Sequence, residues 1–407
     1  MRMLIRKAYK FKLKPDRATL KKLNQISGAC RFLWNKSLSM NLERLEKKYL
    51  LVWYNELAFW LTFWKRTEQH SFLKECPSQS LQQVLKQQIR AFKDGFDKNQ
   101  PLKRLPTFKK KGLHDSFCYP QGFKIVNRRM FLPKLGWVGF HKSRAIEGIA
   151  KNITISRDGD GWYASVQVEV EVAKSVHSST SAVGIDMGVA RMATLSDGTY
   201  FAPKNSFRKH EKQLAKEQQR LSRKIKFSNG WKRQKRRIAR VHQKIRNCRH
   251  DFLHWVTSKI SKSHAIVVLE ALKIKNMSRS AKGSFEAPGI NVKAKSGLNK
   301  SILDQGWGLF KQMLNYKQQW AGGEVVFVDP RYTSQRCPRC SKIDAENRKS
   351  QAEFECTACA YSSHADVVAA KNILAAGLAA IACQANRNSS RQQEPVGNRE
   401  VCLPCAG

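Results

Sequence analysis

Four cysteines, Cys337, Cys340, Cys356 and Cys359, stand as C-x2-C, fifteen intervening residues and a second C-x2-C, and no other stretch of the chain is so restricted by its own spacing. Two residues between cysteines let both sulfurs of a tight knuckle face one ion, and two knuckles complete a tetrahedron. The segment is too short to bury a core, so the spacing predicts a ribbon folded around structural zinc. A closed four-thiolate site has no open position and leaves any chemistry to other residues. The second motif of this kind, Cys402-Leu-Pro-Cys405, has no partner pair and reads as incidental. Cys30, Cys76, Cys118, Cys248 and Cys383 read as structural or free thiols. Without an evident secretory signal, eleven cysteines fit a reducing compartment better than a disulfide framework.

Charge indicates the partner. The 407 residues include 75 Lys+Arg against 31 Asp+Glu, a formal net charge of +44. A compact protein with that excess repels itself unless it meets a polyanion, and nucleic acid is the polyanion that fits. An apolar fraction of 42% allows two or three folded domains. No run of 18 apolar residues occurs, so no membrane partner is expected. Residues 205–250 hold 17 Lys or Arg and two acids, Glu211 and Glu217. Narrow apolar stripes at Leu214, Leu221, Ile225 and at Ile238, Val241, Ile245, with a Ser-Asn-Gly break at 228–230, predict a basic helical hairpin. Its Arg223, Lys224, Arg233, Arg236 and Arg237 are candidate nucleic-acid contacts. The loop KRLPTFKKK adds Lys109, Lys110 and Lys111.

Pattern changes divide the chain. Residues 1–14 alternate apolar and basic side chains, and Pro15-Asp16 then opens a helical region reaching about Phe96. From about 115 to 172 short alternating runs return, with a turn at DGDG, residues 158–161. This predicts a small β-barrel (wedge-like) domain, 1–14 and 101–180, carrying a helical recognition insertion, 15–100. From 181 come three short strands, the basic hairpin, a helix over about 251–263, and the strand AIVVLEAL. A Ser/Lys/Gly-rich segment, 276–299, reads as mobile; one helix, SILDQGWGLFKQMLNYKQQW, and the strand EVVFVDP follow. The order βββ-α-β-α-β, with a last helix near Asp366, is the ribonuclease H-like order of an α/β domain. Its expected extent is 181–329 and 363–383, with the zinc ribbon over 330–362 and a flexible tail over 384–407.

Three acids lie at the ends of apolar stretches in that second half: Asp186 in VGIDMGV, Glu270 in AIVVLEAL and Asp366 in SSHADVVAAKNIL. Singly, each has an ordinary explanation. Asp186 suits the phosphate hairpin of sugar-kinase and chaperone ATPases, Glu270 a surface strand end, and Asp366 a helix cap. Together they are what a nuclease of this fold uses to collect divalent cations, and no second glycine-rich phosphate loop supports the ATPase reading.

With those motifs in order, most of the chain resembles TnpB, the RNA-guided nuclease encoded in insertion sequences and related to type V CRISPR effectors. The segments that carry the resemblance are VGIDMGV, VVLEALKIKNM, LDQGWGLFKQMLNYK, VDPRYTSQRCPRC, CTAC and ADVVAAKNIL, with CRFLWNKSL, SQSLQQVLKQQIRAFK, LPTFKKK and LPKLGWV toward the N-terminus. It implies that Asp186, Glu270 and Asp366 are the catalytic carboxylates of a RuvC-type site, holding Mg²⁺ or Mn²⁺. Two ions about 4 Å apart would activate water and stabilise the leaving 3′ oxygen. It further implies a guide RNA made from the element's end, a short motif beside a double-stranded DNA target, and cleavage of both strands by one site. Tyr54, Ser78 and Gln82 fall in segments resembling the motif-reading surface. Target sequence would be read by base pairing to the guide. The implied setting is a bacterial cytoplasm, with action at the nucleoid; the oligomeric state stays open. Two positions depart from the family's pattern: Val368 stands where Asn is usual, and Ala360 where Gly is usual. Alternative readings are an RNA-guided DNA-binding repressor with weakened cleavage, and an unguided RuvC-like nuclease or transposase.

Overall fold

In the computed structural model, residues 2–392 are described apart from His114, Asp160, Lys174 and Ser175. The chain divides into two units, Met1–Ala173 with Gln219–Gln243, and Lys174–Gln218 with Lys244–Gly407.

In the first unit, period-two alternation turns Ile5, Tyr9, Phe11 and Leu13 of β1 (Arg2–Lys14) inward. This strand pairs antiparallel with β7 (Gly161–Ala173) from Arg2 to Lys12. It then passes to β5 (Gly136–Phe140) at Leu13 and Lys14. The remaining strands are β2 (Ser116–Tyr119), β3 (Lys124–Val126), β4 (Arg129–Leu132) and β6 (Ile149–Asp158). The sheet order is β2-β6-β7-β1-β5-β4-β3. Among the described residues no bridge joins the edges β2 and β3, so the ladder is an open seven-stranded sheet where a closed barrel was expected.

Three helices lie in the stretch expected as the insertion: α1 (Arg17–Glu46), α2 (Tyr54–Arg66) and, after a 3₁₀ stretch at Glu68–Glu75, α3 (Ser78–Phe96). Asp16 caps α1 by accepting from the Thr19 amide at 2.7 Å. These helices have no core of their own. Leu23, Leu33, Leu57, Leu81 and Phe92 share one buried cluster with Phe11, Phe117, Ile153 and Val166 of the sheet.

The second unit is built on β8 (Ala182–Asp186), β9 (Ala193–Leu195), β10 (Tyr200–Phe201), β11 (Ile266–Glu270) and β12 (Glu324–Val328), in the order β10-β9-β8-β11-β12. The first three form antiparallel neighbours, and β11 runs parallel to both β8 and β12. Val267, Val268 and Leu269 are fully buried, as a central parallel strand requires. Its helices are α6 (Ile274–Met277), α7 (Val292–Gln305), α8 (Trp307–Ala321) and α9 (Ala365–Gln392), while α4 (Ser206–Ser222) and α5 (Asn229–Ser263) each divide between the two units, at 218/219 and 243/244.

Several expected boundaries move. No Gly or Pro interrupts residues 231–263, so the second basic helix and the one expected after it are a single α5. The helix expected as one piece around residue 306 is broken there, where Gly306 takes φ +72° and separates α7 from α8. Helix α7 begins at Val292, inside the segment read as mobile. Helix α9 continues through Gln392, past the start expected for the tail at 384, while 393–407, with Cys402 and Cys405, lie outside the described residues.

Helix α9 approaches the sheet closely because two glycines allow it. A Cβ on Gly184 would stand 2.2 Å from the Ala370 carbonyl oxygen, and one on Gly377 would stand 2.5 Å from Val268 Cγ1. The stretch Ala365–Cys383 is long and apolar enough to cross a membrane. Its Val368, Ala369, Ala370 and Ile373 are buried within the unit, and about a third of the stretch, 33%, is buried in all.

Candidate carboxylate and metal centres

Strands β8 and β11 end together. Ile185 pairs with Leu269, so the residues that follow, Asp186 and Glu270, leave adjacent parallel strands at the same level. The pairing of β8 with β11 stops there, and Asp186 and Glu270, paired on their other sides with Thr194 and Val328, follow fully buried Ile185 and Leu269. Asp366 stands in the first turn of α9, brought up to β8 by the Gly184 contact. Burial pushes the Asp186 carboxyl up to about 7, the charges of Glu270 and Asp366 push the same way, and Arg348 opposes them. Burial also raises Glu270, against a hydrogen bond from Thr333 and the charge of Lys311. Burial of Asp186 and Glu270 at one sheet end disfavours their ionisation, and a bound cation would relieve that cost.

Four residues that the sequence did not single out hold this edge. Thr333 Oγ1 donates to Glu270 Oε1 at 2.7 Å. Asn372 of α9 donates through Nδ2 to the carbonyls of Thr333 at 2.8 Å and Arg336 at 2.6 Å. Lys311 of α8 donates from Nζ to the main-chain carbonyl of Glu270. The Arg348 guanidinium comes within 3.7 Å of Asp366 Oδ1 and also donates to the carbonyls of Ser350 and Gln351. Thr333 and Asn372 lie within VDPRYTSQRC and ADVVAAKNIL, so their segments were visible although their roles were not. Arg348 lies in an aperiodic loop that gave no signal.

The four cysteine sulfurs all lie within 4.8 Å of one another, with Cys337 to Cys359 at 3.6 Å and Cys340 to Cys356 at 3.5 Å. The two knuckles repeat one local geometry. Ser341 (φ +63°) donates its amide to the Cys337 carbonyl, and Ala360 (φ +54°) does the same to Cys356, both at 3.0 Å. The amides of Arg339 and Ala358 point at the Cys337 and Cys356 sulfurs, each at 3.4 Å. Four convergent thiols fit one tetrahedral zinc ion. Among the described residues no other set of three or more His, Cys, Asp or Glu ligand atoms gathers within that radius, so the three carboxylates are more widely spread.

The two departures from the family's pattern now have physical settings. Val368 is fully buried in the cluster formed by Cys337, Phe354, Cys356 and Ala365, so it fills the joint between ribbon and α9. Ala360 occupies the left-handed region in which glycine is at ease. Ala360→Gly is therefore expected to stabilise the zinc-loaded protein by about 1 kcal/mol. Its thermal midpoint should rise with the zinc content unchanged; a lower midpoint would contradict this account.

Among the candidate nucleic-acid contacts, Lys109 is half-buried. Its Nζ lies 3.8 Å from the Trp34 ring centroid, and its main chain exchanges two hydrogen bonds with Asn35 at 2.8 and 3.0 Å, so it packs inward. Lys110 and Lys111 remain exposed. Ser78, Gln82 and Lys86 fall at four-residue spacing on α3, and Lys86 Nζ sits 5.1 Å from the Tyr54 ring centroid. Ser78 Oγ accepts from Lys65 Nζ at 2.9 Å. Arg223, Lys224, Arg233, Arg236 and Arg237 are all exposed at and beyond the α4–α5 turn.

Comparison with known proteins fits this geometry. The OrfB_IS605 family profile, described as "Probable transposase", matches residues 165–281, and that of the "Cas12f1-like, TNB domain" matches 307–373. A "Helix-turn-helix domain" profile matches 1–48, a stretch that here holds strand β1 and the single helix α1. The chain is 50% identical over 392 residues to "Putative RNA-guided DNA endonuclease InsQ" of Escherichia coli (strain K12), covering 95% of this chain and 97% of that protein. It is 30% identical over 406 residues to a protein of the same description from Streptomyces pristinaespiralis, covering 98% and 96%. Among solved structures, a Cas12f1-sgRNA-target DNA complex matches with a TM-score of 0.53 over 88% of this chain and 83% of the other, at 14% identity, a likeness of fold.

Proposed function

The chain belongs to the insertion-sequence-encoded TnpB family, and from that premise we propose that it is an RNA-guided, divalent-metal-dependent DNA endonuclease. The observation that carries the hydrolytic part is the strand register that sets Asp186 and Glu270 side by side at one end of a five-stranded sheet, with Asp366 in the first turn of the helix packed on β8. The strand order β10-β9-β8-β11-β12, with α9 laid against β8, supports a ribonuclease H-like, RuvC-type domain interrupted by the cysteine ribbon.

In this reading Asp186, Glu270 and Asp366 hold Mg²⁺ or Mn²⁺, whose hard-oxygen preference they match. Bound there, the cations supply activation of water and charge neutralisation at the scissile phosphate. The protein's own residues fix the frame. Thr333 holds one oxygen of Glu270 and leaves the other available, while Asn372 holds Thr333 through its carbonyl. Arg348, beside Asp366, is placed to offset negative charge that builds on the phosphate. The zinc ribbon is a support for Thr333, Arg336 and Arg348 and takes no part in hydrolysis.

Guide RNA and double-stranded target DNA are the partners, and the exposed cations of the α4–α5 turn, with Lys110 and Lys111, are phosphate contacts. Tyr54, Ser78 and Gln82 read the motif beside the target. A bacterial cytoplasm is the setting. A guided repressor is the second reading, and the three intact acids weigh against it. The test is to sequence the RNA that copurifies with the protein, then offer a matching duplex with Mg²⁺. Cleavage that depends on that RNA is expected; absence of bound RNA would end the guided reading, and tight binding without cutting would favour the repressor.

A further inference from the structure

Within the first unit, the connection between α4 and α5 places an aromatic side chain where backbone sterics disfavour one. Ser228 donates its amide to the Ile225 carbonyl at 3.2 Å, closing a turn in which Phe227 has φ +69°. That region suits glycine or asparagine, and a bulky residue there is a genuine outlier. Asn229 and Gly230 follow immediately, yet both lie in α5. Packing does not explain the choice, because Phe227 is 66% exposed.

The ring is braced and surrounded by cations. Its centroid lies 5.5 Å from that of Trp231 at an interplanar angle of 55°. Trp231 is fixed in turn, since its amide donates to Ser228 Oγ at 3.1 Å. Lys226 Nζ stands 5.6 Å from the Phe227 centroid and Lys235 Nζ 4.8 Å from that of Trp231. From Arg223 to Arg237 the sequence has eight Lys or Arg and no acid. We propose that this tip is an RNA-stacking wedge, in which Phe227, held outward by its strained turn and propped by Trp231, stacks on an unpaired base of the guide RNA while the neighbouring cations hold its phosphates. The idea rests on the RNA-guided reading above. RNA is the occupant favoured because looped RNA offers splayed bases to aromatic rings, whereas duplex DNA keeps its bases stacked.

The test uses the full chain and the RNA that copurifies with it. Phe227→Gly relaxes the turn, so its thermal midpoint should equal or exceed that of the parent. Its affinity for the RNA should nevertheless fall about tenfold, as loss of one base–aromatic stack does, with the salt dependence of binding unchanged. Phe227→Trp should bind as the parent does, and cleavage at saturating RNA should stay at the parent's level in both variants. RNA affinity unchanged in Phe227→Gly would overturn the wedge alone, as would a loss confined to DNA affinity or a fall in the salt slope. A parent protein that binds no RNA would overturn the wedge together with the guided reading.

Discussion

Asp186→Asn removes Mg²⁺-dependent DNA cleavage by at least about a thousandfold and leaves guide and target binding within about twofold of the parent, because it takes a ligand from the metal edge and nothing from the basic surfaces. Glu270→Gln and Asp366→Asn should behave alike, and the double variants should lose little more, since three groups acting as one device fail together. The same substitution makes the metal-free protein more stable at high pH. The folded Asp186 carboxyl titrates at about 7 against an ordinary value of 3.8, so the stability it contributes is complete below pH 3.8 and is lost as pH rises to about 7. That gap corresponds to roughly 4 kcal/mol. At pH 8 in a chelator, Asp186→Asn should therefore melt higher than the parent, the difference closing toward pH 4. Mg²⁺ should stabilise the parent and not the variant. Cutting that survives in Asp186→Asn, or Mg²⁺ that stabilises parent and variant alike, would show that this edge is not a cation site.

Cys356→Ser has the second large effect, on folding and activity together. Apart from the cysteines, the ribbon's fully buried cluster consists of Phe354, Ala365 and Val368, side chains whose burial contributes at most about 3 kcal/mol each. A four-thiolate zinc site contributes about 10–16 kcal/mol, so without it the segment has no reason to stay folded. Zinc should fall from about one ion per chain to near zero, protease cleavage should appear within 336–360, and DNA cutting should drop at least about a hundredfold. Activity follows because Asn372 holds the carbonyls of Thr333 and Arg336, and Thr333 holds Glu270. The exposed Cys383, changed to Ser, should alter none of these. A Cys356→Ser protein that keeps its zinc or cuts at the parent's rate would refute the supporting role given to the ribbon.

Features set by short-range periodicity or fixed spacing were legible in the sequence. The alternation in β1, the apolar runs of β8, β11 and β12, and the cysteine knuckles all appear where their patterns indicated. Asp186, Glu270 and Asp366 stood out because each ends or begins an apolar stretch, and their separation in order is removed by the parallel pairing of β8 with β11 and by Gly184 under α9. What was not legible depends on contacts between distant segments. Nothing local announces that Thr333 reaches Glu270, that Arg348 reaches Asp366, or that Lys109 folds onto Trp34. Element boundaries slipped where a single glycine decided the matter, as at Gly306, or where uninterrupted helix formers merged two expected helices into α5. The helical insertion read as separate because its period differs from that of the strands; one shared core shows that a change of period need not be a change of folding body.

The position of Asp366 on α9, the last helix described, has a consequence for biosynthesis. A polypeptide growing on the ribosome carries its basic surfaces and the first two acids long before residue 366 is made. On the proposed reading, until α9 seats against Gly184 the emerging protein carries its nucleic-acid contacts without a complete hydrolytic centre. On the same reading, a nonsense mutation upstream of residue 366 would leave a fragment that holds nucleic acid without cutting it.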